Sequence, residues 1–432
     1  MKDFLTLPFN FYKAVRQIPI LIMLLSSFDN YAAEQAKEIF AQLTPSLYQI
    51  KLIDKASGEK SSIGSGFQIS ADGIIATNYH VISSYAQHPN KYRIEYLDHL
   101  GHQGSLTLKS VDVVNDLALV ARDVTSEMDF FVLSKTVPFK GEKLFSLGNP
   151  HDLGMIVVPG TYNGLKKESF SERIHFTGSI NSGMSGGPVV NSQSRVVGIN
   201  VATSGNQIGF LVPHDKLVAL FERFKTTPVT DINTQIAEQL ITSQNKLMKA
   251  ILDSPWQSKP LGNQGKIPVI DVPFMRCWGE SNADKTDALI LAAVANCSLD
   301  ENIYLSAQFF TRNIEMEFKF MQAKALSDHK FYALYQKQIS RAVAGNRAGK
   351  DDVTEYQCNH DLVTADTDAI NNKIIFCTRA YKDFTGLFDV LYLAASVDKR
   401  QQGLISHFTI AGISQKNALA FTRRFIEAVS WE

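Results

Sequence analysis

A serine set between glycines is the residue of this chain best suited to act as a nucleophile. Residues 183–188 read Gly-Met-Ser-Gly-Gly-Pro, and glycines allow the backbone angles of a tight turn that leaves the Ser185 hydroxyl exposed. In such a turn, the backbone N–H groups of Gly183 and Ser185 can point at one position and stabilise an oxyanion there. Because a serine hydroxyl reacts only when a base takes its proton, we expect a base elsewhere in the chain.

His80 is the candidate base, and Asp116 is the candidate acid that orients it. His80 follows the strand-like run 73–77, and Asp116 precedes the apolar run 117–120. Each residue taken alone is typical of a structural position, such as a turn or a cap. The order His, Asp, Ser matches one of the known orders of a catalytic triad. We therefore predict that His80, Asp116 and Ser185 form a triad.

Residues from about 45 to 225 resemble the trypsin-like serine proteases of the HtrA (Deg) type. Seven segments match that type in sequence order: 64–67 with 72–73, 77–81, 116–119, 146–150, 180–188, 197–200 and 208–213. The resemblance implies two six-stranded β-barrels with an active site between them. It also implies endopeptidase activity through an acyl-enzyme, with His80, Asp116 and Ser185 at the triad positions.

The resemblance also implies where a specificity pocket lies. Its floor is expected near Ser179 and Ile180. Its wall is expected to be formed by Asn200, Val201 and Ala202. Since no acidic residue stands at position 179 to pair with Lys or Arg, we expect cleavage after small or medium aliphatic residues.

Hydrophobic patterning divides the chain into four predicted segments. Residues 1–33 contain a short apolar run after basic residues, which is typical of a signal peptide. The alternatives are an uncleaved anchor and an N-terminal amphipathic segment. Residues 34–225 form the trypsin-like domain, which begins with an amphipathic helix at 34–43 and ends with a helix after Pro213. Residues 226–268 are predicted as a helical connector, with a helix at 231–253 and a Pro- and Gly-rich linker at 255–268.

Residues 269–432 are predicted as a separate α+β domain of unknown role. No PDZ-type carboxylate-binding loop is recognisable in it, although PDZ domains usually follow the protease in the HtrA type. The patterning predicts strands at 289–295, 373–377 and 404–410 and helices at about 312–342 and 414–429.

All four cysteines lie in this last segment: Cys277, Cys297, Cys358 and Cys377. Their spacing favours two sequential disulfides, Cys277–Cys297 and Cys358–Cys377, with four free thiols as the alternative. Because disulfides persist in oxidising compartments, the cysteines support export to the periplasm or the cell exterior.

The charge balance gives no indication of a nucleic-acid partner. The chain has 43 basic and 43 acidic residues, so no basic surface for a polyanion is expected. His329, His360 and His407 lack the spacing of metal ligands, and no metal or cofactor is expected. The expected partners are protein or peptide substrates, without a stable membrane span after signal cleavage, and oligomerisation is left open.

The function predicted from the sequence is a serine endopeptidase that cleaves unfolded or misfolded proteins. The alternative is an exported quality-control chaperone or binding protein, in which a weakly active protease fold serves as a scaffold for the C-terminal domain.

Overall fold

Six antiparallel strands close into a first barrel at the beginning of the computed structural model, which describes residues 34–203, 207–227, 229–299, 301–363 and 370–431. The predicted signal peptide, 1–33, lies outside the described residues. Helix α1 (34–43) precedes the barrel, and helix α2 (Tyr79–Gln87) is inserted between its third and fourth strands. The strands are β1 (Leu47–Asp54), β2 (Lys60–Gln68), β3 (Ile74–Thr77), β4 (Tyr92–Leu97), β5 (Gln103–Asp112) and β6 (Leu117–Ala121).

Strand β1 is buried along almost its whole length because both of its faces are covered. Successive side chains of a strand point to opposite faces. Accordingly, Leu47 packs into the core that the two barrels share with the helix at 214–226. Tyr48, Ile50 and Leu52 pack into a different core, which also contains residues of the C-terminal domain.

A second barrel follows, and the ring of pairings that closes it contains six strands. Strand β11 pairs with both β8 and β12, which closes the order β11-β8-β9-β10-β13-β12, and β7 adds to β12 in parallel. The prediction of two six-stranded barrels is therefore confirmed. The strands are β7 (Val132–Leu133), β8 (Lys143–Gly148), β9 (Ile156–Leu165), β10 (Ile174–Thr177), β11 (Pro188–Val190), β12 (Arg195–Thr203) and β13 (Ile208–Pro213).

Two helices lead from the barrels to the C-terminal domain. Helix α3 (His214–Thr226) starts directly after β13, and helix α4 (Ile232–Asp253) begins where the Asp231 carboxylate accepts the Thr234 N–H at 2.7 Å. The first half of α4 packs on the first barrel through Ile236 and Leu240. Its second half packs into the C-terminal core.

The segment predicted as a linker, 255–268, instead forms a β-hairpin. Strands β14 (Trp256–Leu261) and β15 (Gly265–Ile270) pair with each other, and β15 also pairs with the C-terminal strand β25 (Ser430–Trp431). The linker prediction was wrong because it relied on the Pro and Gly content of the segment and overlooked its apolar residues. Leu261 and Ile267 are buried in the C-terminal core, and the glycine at 262 supplies the positive φ of the turn.

The C-terminal domain is built on a seven-stranded antiparallel sheet in the order β16-β17-β20-β24-β23-β22-β21. Helix α6 (Gln415–Glu427) and the end of α4 pack on one face of the sheet, and helix α5 (Asp328–Ile339) packs on the other. A short hairpin, β18–β19, forms a separate two-stranded sheet. The strands are β16 (Arg276–Ser281), β17 (Ile290–Leu299), β18 (Ile303–Ser306), β19 (Phe309–Thr311), β20 (Ile314–Ala323), β21 (Gln357–Val363), β22 (Asn372–Ala380), β23 (Leu387–Ser396) and β24 (Gln402–Ser414).

The predicted helix at 312–342 was wrong in its first half. Residues Ile314–Ala323 form the strand β20, in which Ile314, Met316 and Phe318 are buried and the residues between them are half-buried. This alternation has the period of a strand and not that of a helix. The helix that does occur, α5, begins only at Asp328.

The two disulfides fasten the two edges of the seven-stranded sheet. Cys277 is bonded to Cys297 between β16 and β17, and Cys358 is bonded to Cys377 between β22 and β21. These are the sequential pairs that the spacing favours. Within the described residues, no helix has the length and apolar character needed to cross a membrane.

Candidate active site

His80 lies at the start of α2, directly after the third strand of the first barrel. Asn78 keeps extended backbone angles at the N-terminus of the helix, and Val81 and Ile82 anchor the first turn in the core. The His80 side chain is 28 % exposed. The strand-to-helix junction therefore fixes the backbone of His80 and leaves its ring at the surface of the barrel.

Asp116 is bonded to His80 at two points. One carboxylate oxygen of Asp116 accepts the backbone N–H of His80 at 2.9 Å, and the other lies 2.6 Å from the ring Nδ1. The Asn78 side chain donates to the Asp116 carbonyl at 2.8 Å. Because a carboxylate only accepts, Nδ1 carries the proton, and the neutral ring keeps Nε2 free to take another one.

The turn before β6 holds Asp116 in the left-handed region, with φ 62°. Aspartate tolerates this conformation better than most residues because its short side chain forms local hydrogen bonds. Asp112 supports the turn, since its carboxylate accepts the backbone N–H of Asn115 at 3.0 Å and the Asn115 side chain at 2.9 Å.

Two opposing effects act on the pKa of His80. Burial favours the neutral ring and would by itself lower the pKa. The charge of Asp116 and its hydrogen bond to the ring favour the imidazolium, and together they outweigh the burial, so that the pKa of His80 is raised.

The turn that carries Ser185 is hydrogen-bonded to both barrels. The Ser185 carbonyl accepts the N–H of Ser65 in β2 at 2.7 Å, and the Gly186 N–H donates to the Asn200 carbonyl at 3.0 Å. Gly186 has φ 83°, and a Cβ there would collide with Ser65 and Thr77. Only glycine therefore fits where the two barrels meet, close to the strand that leads to His80.

The structure joins two members of the predicted triad directly and places the third on this neighbouring turn. Among the described residues, the Ser185 hydroxyl forms no hydrogen bond with the His80 ring, whose partner is Asp116. Such bonds are often long in unliganded enzymes and shorten when substrate binds.

The predicted oxyanion-binding N–H groups belong to a well-fixed stretch of backbone. The Ser182 carbonyl accepts the His151 N–H at 2.9 Å. Since N–H and C=O point in opposite directions in a trans peptide, the Gly183 N–H is turned away from His151. Within the described residues, neither Gly183 nor Ser185 donates its N–H to another backbone oxygen. The predicted role in binding an oxyanion requires N–H groups without such an acceptor.

The predicted pocket residues differ in where their side chains lie. Ser179 is exposed, whereas Ile180 is buried, and its Cδ1 lies 2.5 Å from where a Cβ at Gly209 would stand. Val201 is half-buried. Ala202 pairs with Phe210 through its backbone in β12, and its side chain lies outside the described part of the chain.

Asn200, predicted in the wall of the pocket, directs its side chain into the second barrel. The side chain is fully buried, accepts from the Ser146 hydroxyl at 2.9 Å and donates to the Leu147 carbonyl at 3.2 Å. Both of its polar atoms are used inside the second barrel. Asn200 supports the Ser185 turn through its backbone carbonyl instead.

Two residues beside the site were not predicted from the sequence. Ser65 donates through its hydroxyl to the Gly183 carbonyl at 2.8 Å and accepts the Asn149 N–H at 2.9 Å, so it links two loops to β2. Its position inside a Gly-Ser-Gly motif was a usable signal. Tyr304 comes from the C-terminal domain, and its ring lies 6.1 Å from the His80 ring. No local pattern indicated this contact.

Comparisons with known proteins agree with this geometry. The family described as "Trypsin-like peptidase domain" matches residues 64–199, a range that contains all three members of the predicted triad. Serine protease HTRA1B of Danio rerio is 30% identical over 192 residues, which are 42% of this chain and 39% of the relative. The chain thus spans about two fifths of that relative's length.

A plant relative is covered more completely. "Protease Do-like 5, chloroplastic" of Arabidopsis thaliana is 31% identical over 218 residues, which are 43% of this chain and 68% of the relative. The solved structure described as Deg5 is 28% identical with a TM-score of 0.41, and the match covers 46% of this chain and 98% of Deg5.

Proposed function

The chain belongs to the HtrA (Deg) type of trypsin-like serine protease, and we propose on that basis that it is a serine endopeptidase with His80, Asp116 and Ser185 as its triad. The observation that carries the proposal is the 2.6 Å contact between His80 Nδ1 and Asp116 at the end of the first barrel. This contact leaves Nε2 of the partly exposed imidazole free to act as a base next to the turn that carries Ser185.

In the proposed mechanism, the Ser185 oxygen attacks the scissile carbonyl and its proton passes to His80 Nε2. Asp116 stabilises the imidazolium that forms, and the N–H groups of Gly183 and Ser185 bind the tetrahedral oxyanion. His80 then gives the proton to the leaving amine, which leaves an acyl-enzyme on Ser185. Water, activated by His80, hydrolyses the acyl-enzyme and restores the serine.

We further propose that the enzyme cleaves after small or medium aliphatic residues. Ile180 is apolar and fills the space next to Gly209, and no acid at position 179 offers a partner to Lys or Arg. The substrates we propose are unfolded or misfolded proteins in an oxidising compartment, where the two disulfides persist.

The test is digestion of casein by the full chain, together with labelling by a serine-reactive phosphonate. We expect casein cleavage and a single labelled serine, both absent in Ser185→Ala, because loss of a triad nucleophile costs on the order of 10⁶ in turnover. The neighbouring exposed Ser182→Ala is the matched control and should keep both. If Ser185→Ala still cleaves casein, the assignment fails. If neither protein cleaves but both prevent casein aggregation, the alternative of a chaperone or binding protein is favoured.

A further inference from the structure

The hairpin β18–β19 fastens the C-terminal domain to the helix that carries His80. Ile303, Leu305 and Phe309 are almost fully buried in one core cluster with Tyr79 and Ile82 of α2. The Leu305 carbonyl also accepts from the Tyr79 hydroxyl at 3.3 Å and from the Gln87 side chain at 3.0 Å. The hairpin therefore has a fixed position on α2.

Strand alternation places Tyr304 on the other face of this hairpin. Its neighbours Ile303 and Leu305 are buried in the shared core, whereas the half-buried Tyr304 packs against that core with its ring next to His80. The two rings meet edge to face, with centroids 6.1 Å apart and planes at 74°. Phe310, which pairs with Tyr304 across the hairpin, contacts the Tyr304 ring edge to face, with ring centroids 5.3 Å apart and planes at 88°.

We propose that Tyr304 is a positioning residue for His80, so that the C-terminal domain completes the active-site cleft on the His80 side. This inference rests on the proposed function. Asp116 fixes the tautomer and one edge of the imidazole but does not fill the space on its other side. A histidine at the first turn of a helix has more than one open rotamer, and rotation away from the serine would break the contact with Tyr304.

The charged groups around His80 separate this role from an electrostatic one. Asp116 faces the ring from the turn between β5 and β6, and the Arg173 guanidinium lies near Asp116, donating to the Asn115 carbonyl at 3.5 Å. The contact of Tyr304 with His80 is between aromatic rings and is not an ion pair. Removal of its ring therefore changes the packing and hydration of His80 without removing an ion pair.

The experiment compares Tyr304→Ala, Tyr304→Phe and the matched control Tyr332→Ala, in which an exposed tyrosine of α5 is truncated. In the full chain, kcat, KM and the pH profile of kcat/KM are measured on a peptide with valine before the scissile bond. We expect Tyr304→Ala to lower kcat about tenfold with little change in KM, because only the orientation of the base is lost. The acid limb of the pH profile of kcat/KM should move in Tyr304→Ala. The kinetics and pH profiles of Tyr304→Phe and Tyr332→Ala should match those of the wild type.

Each other outcome has a definite meaning. Wild-type kinetics in Tyr304→Ala, or a rise in its activity, would overturn the inference, and the rise would show that the hairpin obstructs the cleft. A change in KM alone would mean that Tyr304 binds substrate instead of positioning His80. If Tyr304→Ala does not fold, Tyr304→Leu keeps apolar volume without an aromatic edge and should show the same loss of kcat. If the wild type itself lacks activity that depends on Ser185, the proposed function fails and the inference with it.

Discussion

At the scale of single residues, the contact between Asp116 and His80 gives the sharpest test of the proposed triad. Asp116→Asn keeps the shape of the side chain, but an amide can donate to the ring and so favour the wrong tautomer. We expect kcat to fall about 10⁴-fold with the fold unchanged. The measurement is steady-state hydrolysis of a peptide, with circular dichroism as a check on the fold.

The chain contains a matched control for this substitution. Asp98 also pairs with a histidine, since its carboxylate lies 3.0 Å from His102 Nδ1 in an exposed turn. Asp98→Asn therefore removes a similar carboxylate–imidazole contact away from His80 and should leave kcat unchanged. Equal loss in the two variants would mean that Asp116 acts through stability and not through His80.

The raised pKa of His80 predicts the direction of the acid limb of activity. The reaction needs the neutral imidazole, so kcat/KM should rise with pH through this pKa. In Asp116→Asn, the two effects that raise the pKa disappear and burial, which lowers it, remains. The residual activity should therefore begin to rise at a lower pH than in the wild type. A limb that stays in place would show that His80 does not carry the titration.

Residue-scale prediction from the sequence is most specific where chemistry restricts the choice of residue. Ser185, His80 and Asp116 stood out because few residue types perform these roles, and the structure brings His80 and Asp116 together. The orientation of Asn200 could not be predicted, because its residue type does not reveal which way a strand side chain points. Tyr304 was missed because its partner is more than two hundred residues away in the chain.

At the scale of elements, the disulfides protect the two edges of the C-terminal sheet. Strands β16 and β21 are almost fully exposed and pair on one side only. Each bridge spans a loop of 20 or 19 residues and ties an edge strand to its neighbour. An open edge strand is prone to fraying and to pairing with other chains.

We predict that Cys277→Ser with Cys297→Ser lowers the free energy of unfolding by about 3 kcal/mol in the chain-entropy account. Hydrolysis of a short peptide should stay near the wild-type rate, because neither edge strand contacts the hairpin β18–β19 in the sheet order. Chemical denaturation followed by circular dichroism measures the first effect. The double variant of Cys358 and Cys377 is the control on the opposite edge. A loss of peptidase activity as large as the loss of stability would contradict this separation.

Element-scale prediction failed in the C-terminal domain for two physical reasons. Strand β20 carries helix-forming residues such as Met316 and Glu317, and its burial between two neighbouring strands overrides their propensity. The hairpin at 256–270 has the composition of a linker, and its place depends on residues distant in the chain. Leu261 and Ile267 are buried in the C-terminal core, and β15 pairs with β25. Long-range pairing of this kind leaves no local trace.

At the scale of the whole molecule, the first barrel and the C-terminal domain share one hydrophobic core. Tyr48, Ile50 and Leu52 of β1 pack in the same cluster as Tyr381 and Leu387 of the C-terminal sheet. Helix α4 joins the two regions further, since the side chains of Gln235 and Gln239 accept backbone N–H groups of residues 111 and 113. Hydrophobic patterning predicted a trypsin-like domain and a separate C-terminal domain but could not predict that their cores merge.

This shared core predicts that damage to the hairpin β18–β19 lowers both stability and catalysis. Leu305 is fully buried between the hairpin and α2, so Leu305→Ala should cost about 2–5 kcal/mol and leave a cavity beneath the helix that carries His80. The backbone carbonyl that accepts from Tyr79 and Gln87 remains. We therefore expect a folded protein with a lower midpoint of thermal unfolding and a reduced kcat at 25 °C.

The control for Leu305→Ala is another buried leucine, which lies in a different core cluster from α2. Leu393 lies on the face of the sheet that packs against α5, in a cluster with Phe331 and Tyr335. Leu393→Ala should lower the thermal midpoint by a similar amount and leave kcat unchanged, because its cavity does not reach the catalytic helix. Thermal unfolding and peptide hydrolysis at a temperature where both variants are folded give the comparison. If the two variants lose stability alike and neither loses kcat, the C-terminal domain stabilises the protease without shaping its active site.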